Sequence, residues 1–187
     1  MRIIGGEHGG RKLTPPSKMP YTRPTTDIAK EGLFNILNNN LDLEKLKTLD
    51  LFGGTGNISY ELASRGVKDL TIVEKDSQMY EFIKKTAKEL MLENFKVVKM
   101  DVFKFMLQCP DKFDFIFAGP PYALGNLPAG RQGIDDLPKL VFEKQLLNPK
   151  GWLVLEHTPK NDYKKFPFYK TERNYGTTVF SVFIESR

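Results

Sequence analysis

The sequence contains very little cysteine and histidine. Among its 187 residues there is one cysteine, Cys109, and two histidines, His8 and His157. A single thiol cannot form an internal disulfide, which is typical of a protein of the reducing cytosol. Three such residues, widely separated along the chain, are too few for a zinc site. The sequence therefore predicts a cytoplasmic protein with neither a metal centre nor a disulfide framework.

Long apolar runs are also missing. No stretch approaches the ~18 consecutive apolar residues of a membrane helix, and the opening MRIIGGEHGGRKL lacks the apolar core of a signal peptide. Hydrophobic residues make up 40% of the chain and charged residues 27%, as in ordinary globular proteins. We therefore expect one globular core with a small appendage, no membrane partner and a monomeric protein.

Positive charge is concentrated near the N-terminus. The net charge of the chain is +5, and residues 1–24 account for +4 of it, with five basic residues against Glu7 alone. We call residues 1–24 the arm. A basic arm rich in glycine and proline, in front of a nearly neutral body, favours contact with a phosphate backbone through Arg11, Lys12 and Arg23. A merely solvated terminus is the alternative.

Strand-like and helix-like apolar patterns alternate along the rest of the chain. The patterns predict strands at 47–52, 71–75, 96–101, 113–118 and 151–157, and helices at 25–38, 58–65, 76–92, 102–109 and 134–146. A final hairpin is expected around Tyr175-Gly176. In the helix 76–92, Asp76 is the expected N-cap, and the predicted inward residues are Met79, Ile83, Ala87, Leu90 and Met91. The predicted fold is α/β: a doubly wound, mostly parallel, Rossmann-like sheet of seven strands with a C-terminal antiparallel hairpin.

The ends of the predicted strands carry the candidate ligand residues, because ligands of such sheets bind at the carboxyl edge. The first strand runs into DLFGGTGN, residues 50–57, whose three glycines allow a sharp turn close to a ligand. Glu74 ends the second strand, where a carboxylate can accept hydrogen bonds from ribose hydroxyls. Asp101 ends the third strand and can receive an adenine amino group. Together these features predict a cofactor that contains adenosine.

The choice among adenosine cofactors follows from missing motifs. The chain has no G-x-x-x-x-G-K-[ST] run, which argues against a triphosphate site. Gly54-x-Gly56 is followed by Ser59 where a dinucleotide fingerprint has glycine, which argues against NAD or FAD. The predicted cofactor is therefore S-adenosylmethionine, which carries no phosphate and whose ammonium group Asp50 could contact. The alternatives are that Asp50 and Asp101 cap helices and that Glu74 is a surface charge.

The fourth strand, in FDFIFAGPPY, ends on two prolines and a tyrosine. Pro120 and Pro121 form a rigid unit that fixes the carbonyl of Pro120, and Tyr122 can stack on a base turned out of its loop. The pattern is typical of a platform for a flat substrate. The position in front of the prolines, where a polar group would act on the substrate, is Gly119.

These motifs resemble those of the class I methyltransferases, and specifically the RsmD-like family that methylates the exocyclic N2 of a guanine in small-subunit (16S) ribosomal RNA. The resemblance rests on MRIIGG…GRKL, RPTTD at 23–27, LDLFGGTGN, VEKD at 73–76 and FAGPPY. It implies a small hairpin in the arm that grips RNA, with either small-subunit rRNA or an assembling 30S particle as partner. The implied RNA contacts are Arg11, Lys12, Arg23 and Thr25. The implied cofactor residues are Asp50, Phe52, Gly53, Gly54, Gly56, Asn57, Glu74, Lys75, Asp101 and Val102, and the catalytic residues are Gly119, Pro120, Pro121 and Tyr122.

The chain departs from this family pattern in three places. Gly119 stands where the family has an acidic residue or asparagine, Gly53 stands where it often has alanine, and residues 123–136 look like an insertion. Arg131 in that segment could contact phosphate, unless the segment is only a surface insertion. A carboxylate at position 119 and the Pro120 carbonyl would together accept the two hydrogens of the target amino group. Without the carboxylate we expect slow or absent transfer, which Gly119→Asp should raise at least about tenfold.

Two other functions remain open on the sequence alone. The protein could bind cofactor and RNA without catalysis, or it could methylate the amino group of adenine in DNA.

Overall fold

The computed structural model describes residues 1–16, 25–126 and 131–185. Within them, seven strands and five α-helices alternate along the chain. The strands are β1 (Lys47–Asp50), β2 (Asp69–Glu74), β3 (Phe95–Lys99), β4 (Phe113–Ala118), β5 (Leu147–His157), β6 (Tyr169–Tyr175) and β7 (Thr178–Ile184). The helices are α1 (Asp27–Asn40), α2 (Asn57–Ser64), α3 (Ser77–Glu89), α4 (Val102–Gln108) and α5 (Asp136–Glu143).

All seven strands form one sheet with the order β3-β2-β1-β4-β5-β7-β6. The first five strands are parallel, whereas β7 runs antiparallel to both β5 and β6. The predicted fold class is confirmed, including the C-terminal antiparallel hairpin. The chain order reverses between β1 and β4, so the carboxyl ends of these two strands flank the position where such sheets bind ligands.

The two faces of the sheet bury separate apolar layers. Successive side chains of a strand point to opposite faces, and on β4 this places Phe115 and Phe117 with α1 and α2. Ile116 and Ala118 point the other way, toward α4 and α5. The same alternation on β1 directs Asp50 to the α2 face. Among the described helices, none is long and apolar enough to span a bilayer.

Helix α3 confirms the predicted cap and corrects one predicted inward residue. The Asp76 side chain accepts hydrogen bonds from the N–H groups of Gln78 and Met79, as an N-cap does. Met91 was expected to face inward, but it is 80% exposed. The helix ends at Glu89, and Met91 has a φ of 54° in the turn that follows, so the helical period no longer sets its direction.

Residues 1–13, which we call the N-terminal hairpin, fold back on themselves and pack on the body. The N–H of Ile3 donates to the Arg11 carbonyl at 3.0 Å, and the N–H of Leu13 donates to the Met1 carbonyl at 2.9 Å. Ile3 is buried with Tyr60 of α2 and with Leu90. The hairpin therefore adds its own small apolar cluster at the edge of the main core.

A buried ion pair attaches this hairpin to two helices. Lys30 of α1 and Glu61 of α2 have fully buried side chains, and their Nζ and Oε2 atoms are 3.3 Å apart. The Lys30 ammonium also donates to the Arg2 carbonyl at 2.6 Å. Glu61 accepts hydrogen bonds from the backbone N–H groups of Ile4 and Gly5. Burial lowers the pKa of Lys30, and the adjacent Glu61 carboxylate opposes that shift.

We expect Glu61→Ala to lower the free energy of unfolding by about 3–5 kcal/mol, because it leaves the buried Lys30 ammonium without its counter-charge. Urea unfolding measures the loss, and amide hydrogen exchange should show faster exchange in the N-terminal hairpin. Glu31→Ala, at an exposed position of α1, is the matched control. A loss below about 1 kcal/mol would mean that apolar packing of Ile3 holds the hairpin on its own.

Candidate active site

A cavity of about 470 Å³ lies at the carboxyl edge of the sheet, between the ends of β1, β4 and β5. It brings together ten of the residues that were singled out from the sequence. These are Thr25, Asp50, Phe52, Gly53, Gly54, Asn57, Gly119, Pro120, Pro121 and Tyr122. The glycine turn after β1 and the proline platform after β4 therefore face the same space.

Asp50 is buried beneath the glycine turn and holds it in place. Its carboxylate accepts a hydrogen bond from the Ser59 hydroxyl at 2.6 Å and one from the Phe52 N–H at 3.2 Å. Burial raises the pKa of Asp50 to about 6, although both hydrogen bonds act in the opposite direction. In the turn itself, Gly54 and Gly56 have φ values of 53° and 78°, which side chains beyond glycine rarely adopt.

Glu74, at the end of β2, also fastens the glycine turn. Its Oε2 atom accepts from the Gly54 N–H and its Oε1 atom from the Asp76 N–H, both at 2.7 Å. Burial raises the pKa of this carboxyl group, against the pull of these backbone hydrogen bonds. Each oxygen retains a second lone pair, so Glu74 can still accept a hydrogen bond from a ligand.

Glu74 and four other predicted cofactor residues lie outside the cavity lining. Gly56 is the N-cap of α2, Lys75 is exposed after β2, and Val102 is buried in the first turn of α4. Asp101 caps α4, since its Oδ1 atom accepts from the N–H groups of Phe103 and Lys104. The helix-cap alternative for Asp101 is therefore realised, while its ligand role stays a prediction.

The proline platform continues directly into a short 3₁₀ helix, Tyr122–Asn126. The N–H of Leu124 donates to the Pro121 carbonyl at 2.9 Å, which ties this helix to the platform. The Tyr122 side chain is 40% exposed at the cavity rim. Tyr122 therefore stands at the boundary between the cavity and solvent.

Glu156, near the end of β5, is the carboxylate of the cavity lining that the sequence did not predict. Its Oε2 atom accepts a hydrogen bond from the Thr25 hydroxyl at 2.8 Å. Burial raises its pKa to about 7, and the Asp50 charge adds to this shift. The signal in the sequence that could have identified Glu156 is a lone carboxylate in the apolar run GWLVLEH, whose strand lies next to β4, the strand that Gly119 follows.

The residues predicted to bind RNA fall in different places. Arg11 and Lys12 are exposed on the N-terminal hairpin, whereas Thr25 lies in the cavity wall. Arg23 lies outside the described residues. In the segment 123–136, Arg131 is exposed and Ile134 lines the cavity, while residues 127–130 are not described. No group of three or more potential metal ligands occurs in the part of the chain that the structure describes.

Comparisons by sequence and by structure both find proteins named as methyltransferases. Ribosomal RNA small subunit methyltransferase D of Escherichia coli K12 is 35% identical over 156 residues, which are 83% of this chain and 71% of that protein. YlbH of Bacillus subtilis is 34% identical over 161 residues, 84% of this chain and 82% of that protein. The solved structure of Escherichia coli yhhF superposes with a TM-score of 0.82 at 26% identity and covers 100% of this chain and 98% of that one.

The family model described as "Conserved hypothetical protein 95" matches residues 1–184, nearly the whole chain. The match includes the N-terminal hairpin as well as the sheet, so the family resemblance inferred from the motifs is confirmed. The chain belongs to this family, which is the RsmD family of methyltransferases.

Proposed function

We propose that this protein transfers a methyl group from S-adenosylmethionine to the exocyclic N2 of a guanine in small-subunit rRNA. The observation that carries the proposal is the single cavity into which both the glycine turn and the Pro-Pro-Tyr platform open. The name of the Escherichia coli relative favours ribosomal RNA over DNA adenine as the substrate. We infer that the reaction takes place in the cytoplasm, on rRNA or on an assembling particle.

The turn after β1 fits a cofactor that has an amino-acid end and an adenosine end. A Cβ atom on Gly54 would meet no protein atom nearer than the Phe52 carbonyl oxygen, at 3.9 Å, so the turn leaves open space beside its backbone. Asp50 supplies negative charge beneath the turn, where it would attract an ammonium group. Glu74 would accept from ribose hydroxyls through its remaining lone pairs.

The platform would position the base. Bound S-adenosylmethionine supplies a methyl group on a positively charged sulfur. The exocyclic amino nitrogen of guanine is a weak nucleophile because its lone pair is delocalised into the ring. Acceptors aimed at its hydrogens would favour a pyramidal nitrogen, and the Pro120 carbonyl, held by the stiff Pro120-Pro121 unit, would be one such acceptor. Stacking on Tyr122 would fix the plane of the base, and orientation of this kind supplies much of the rate gain.

A second candidate function is binding without catalysis. The observation that favours it is Gly119, which places no side chain in front of the platform. The two functions differ in one measurable step, since both bind cofactor and RNA but only the methyltransferase releases methylated RNA.

The decisive experiment incubates the purified protein with labelled S-adenosylmethionine and small-subunit particles that lack the modification. We expect N2-methylguanosine in the digested RNA. Label in another nucleoside would overturn the assignment of the guanine N2 atom. Binding of both partners with no label in the RNA would support the binding function.

We expect Glu74→Ala to weaken S-adenosylmethionine binding by roughly 1–3 kcal/mol, because hydrogen bonds to a charged group are lost and the glycine turn is released. Calorimetry gives the dissociation constant. Glu81→Ala, on the exposed side of α3, should leave it unchanged. An unchanged affinity in a folded Glu74→Ala protein would remove Glu74 from the cofactor site.

Replacement of Arg11, Lys12 and Arg23 by alanine should lower RNA affinity and flatten its dependence on salt, since fewer counterions are released on binding. Affinity for the cofactor should stay the same. The matched control removes three lysines of α3, Lys84, Lys85 and Lys88. An equal loss in both triple variants would show that net charge matters and that the arm has no specific role.

A further inference from the structure

The end of β5 places a carboxylate beside the glycine that replaces the family's acid. Strands β4 and β5 are parallel neighbours, and their last paired residues are Ala118 and Leu155. Gly119 and Glu156 follow these residues by one step. Because side chains alternate along a strand, Glu156 points to the same face as Phe117, and so would a side chain at position 119.

The Glu156 carboxylate reaches the space that a side chain at position 119 would enter. A Cβ atom built on Gly119 would lie 3.3 Å from the Oε2 atom of Glu156 and 2.9 Å from the Cε1 atom of Phe117. The first distance is tighter than ordinary contact, and the second requires the Phe117 ring to move. Gly119 and Glu156 therefore fit each other: the missing side chain leaves room for the carboxylate from the next strand.

We propose that Glu156 supplies the acceptor that Gly119 lacks, by accepting a hydrogen bond from the target amino group and taking its proton as the methyl group arrives. The inference rests on the proposed function, because it names the residue that would act on the base. It replaces the expectation of slow transfer with that of an active enzyme whose carboxylate comes from β5.

Methyl transfer and proton loss together conserve atoms and electrons. The lone pair of the amino nitrogen forms the new bond to the methyl carbon, and the electron pair of the broken carbon–sulfur bond stays on sulfur. The positive charge then lies on the amino nitrogen, which loses one proton to the Glu156 carboxylate. The Pro120 carbonyl would hold the second hydrogen of the amino group. Solvent at the cavity mouth would take the proton from Glu156 after product release.

A purely structural role for Glu156 makes different predictions. Its hydrogen bond from Thr25 connects β5 to the residue that precedes α1 by two positions. If anchoring were the only role, loss of either partner would have the same effect on the rate. In a catalytic role, Thr25→Val removes one hydrogen bond but leaves the carboxylate in place, whereas Glu156→Gln removes the base.

The electrostatic surroundings of Glu156 define a pH signature. Among the described residues, the titratable groups that line the cavity with it are Asp50, Tyr122, His157 and Lys160. Burial, together with the charge of Asp50, raises the pKa of Glu156 to about 7. The basic form is the active one, so the transfer rate should rise tenfold per pH unit up to about pH 7 and level off above it.

The experiment measures single-turnover methyl transfer to unmodified small-subunit particles at saturating cofactor, from pH 5.5 to about 9. We expect Glu156→Gln to lower the plateau rate at least about tenfold and to abolish the rise of the transfer rate below pH 7. Glu156→Ala should lower the plateau rate roughly 10²–10⁴-fold. Thr25→Val should shift the rise of the transfer rate to higher pH, because the Thr25 hydrogen bond lowers the pKa of Glu156. The exposed Glu93→Gln is the matched control and should behave as wild type.

Gly119→Asp is tested alone and in combination with Glu156→Ala. Alone it should give no gain in the transfer rate, because the new carboxylate would crowd Phe117 and repel the charge of Glu156. Combined with Glu156→Ala, it should recover part of the lost rate by returning an acid to β4. A gain of tenfold or more from Gly119→Asp alone would overturn the inference, since the acceptor would then be absent from the wild type.

Separate readouts distinguish failure of this inference from failure of the proposed function. Calorimetry should give wild-type affinity for S-adenosylmethionine in Glu156→Gln, and thermal unfolding at pH 8 should show no loss of stability when a buried charge is removed. Transfer by the wild type that persists unchanged in a folded Glu156→Gln protein overturns the inference alone. A wild type that binds cofactor and particles but transfers no methyl group at any pH overturns the proposed function and the inference together.

Discussion

The buried pair of Lys30 and Glu61 is the interaction on which the arrangement around the cavity depends. Two full charges at this depth are tolerated only because each is satisfied by further hydrogen bonds. The Lys30 ammonium donates to the Asn57 side-chain oxygen at 2.9 Å, and the Asn57 amide donates to the Thr25 carbonyl at 3.3 Å. Thr25 in turn donates to Glu156. One chain of polar contacts thus runs from the N-terminal hairpin to the cavity, and each member restricts the geometry of the next.

Two carboxyl groups dominate the electrostatics of the cavity, and their surroundings differ. Asp50 is covered by the protein and bonded to Ser59 and Phe52, which suits a structural charge under the glycine turn. Glu156 is half-buried and opens into the cavity with Thr25 as its hydrogen-bond donor. The Asp50 charge makes ionisation of Glu156 more costly, and the Glu74 charge does the same for Asp50. Because the local dielectric is low, a hydrogen bond from a positively polarised amino group to the Glu156 carboxylate would be stronger there than in water.

The sequence predicted the sheet and the location of the cavity well, because periodicity and strand-end residues are local signals. The hairpin around Tyr175-Gly176 and the glycine turn after β1 belong to this class. Residues whose role depends on contacts between different helices or strands could not be predicted from such local signals. Lys30 and Glu61 lie on two different helices, and no local pattern predicts that they pair. The position of Glu156 beside Gly119 depends on the register between β4 and β5. Met91 was misassigned because the end of α3 depends on its capping turn, which periodicity does not contain.

The parallel register of β4 and β5 has a consequence for how such enzymes diverge. Neighbouring strand ends deliver side chains to nearly the same point, so a reactive group can migrate from one strand to the next without any change in the backbone. A family signature that scores only the residue before Pro-Pro-Tyr would class a chain with glycine there as a degenerate copy. If Glu156 acts as proposed, positions 119 and 156 share one role, and a substitution at one of them should be weighed together with the residue at the neighbouring strand end.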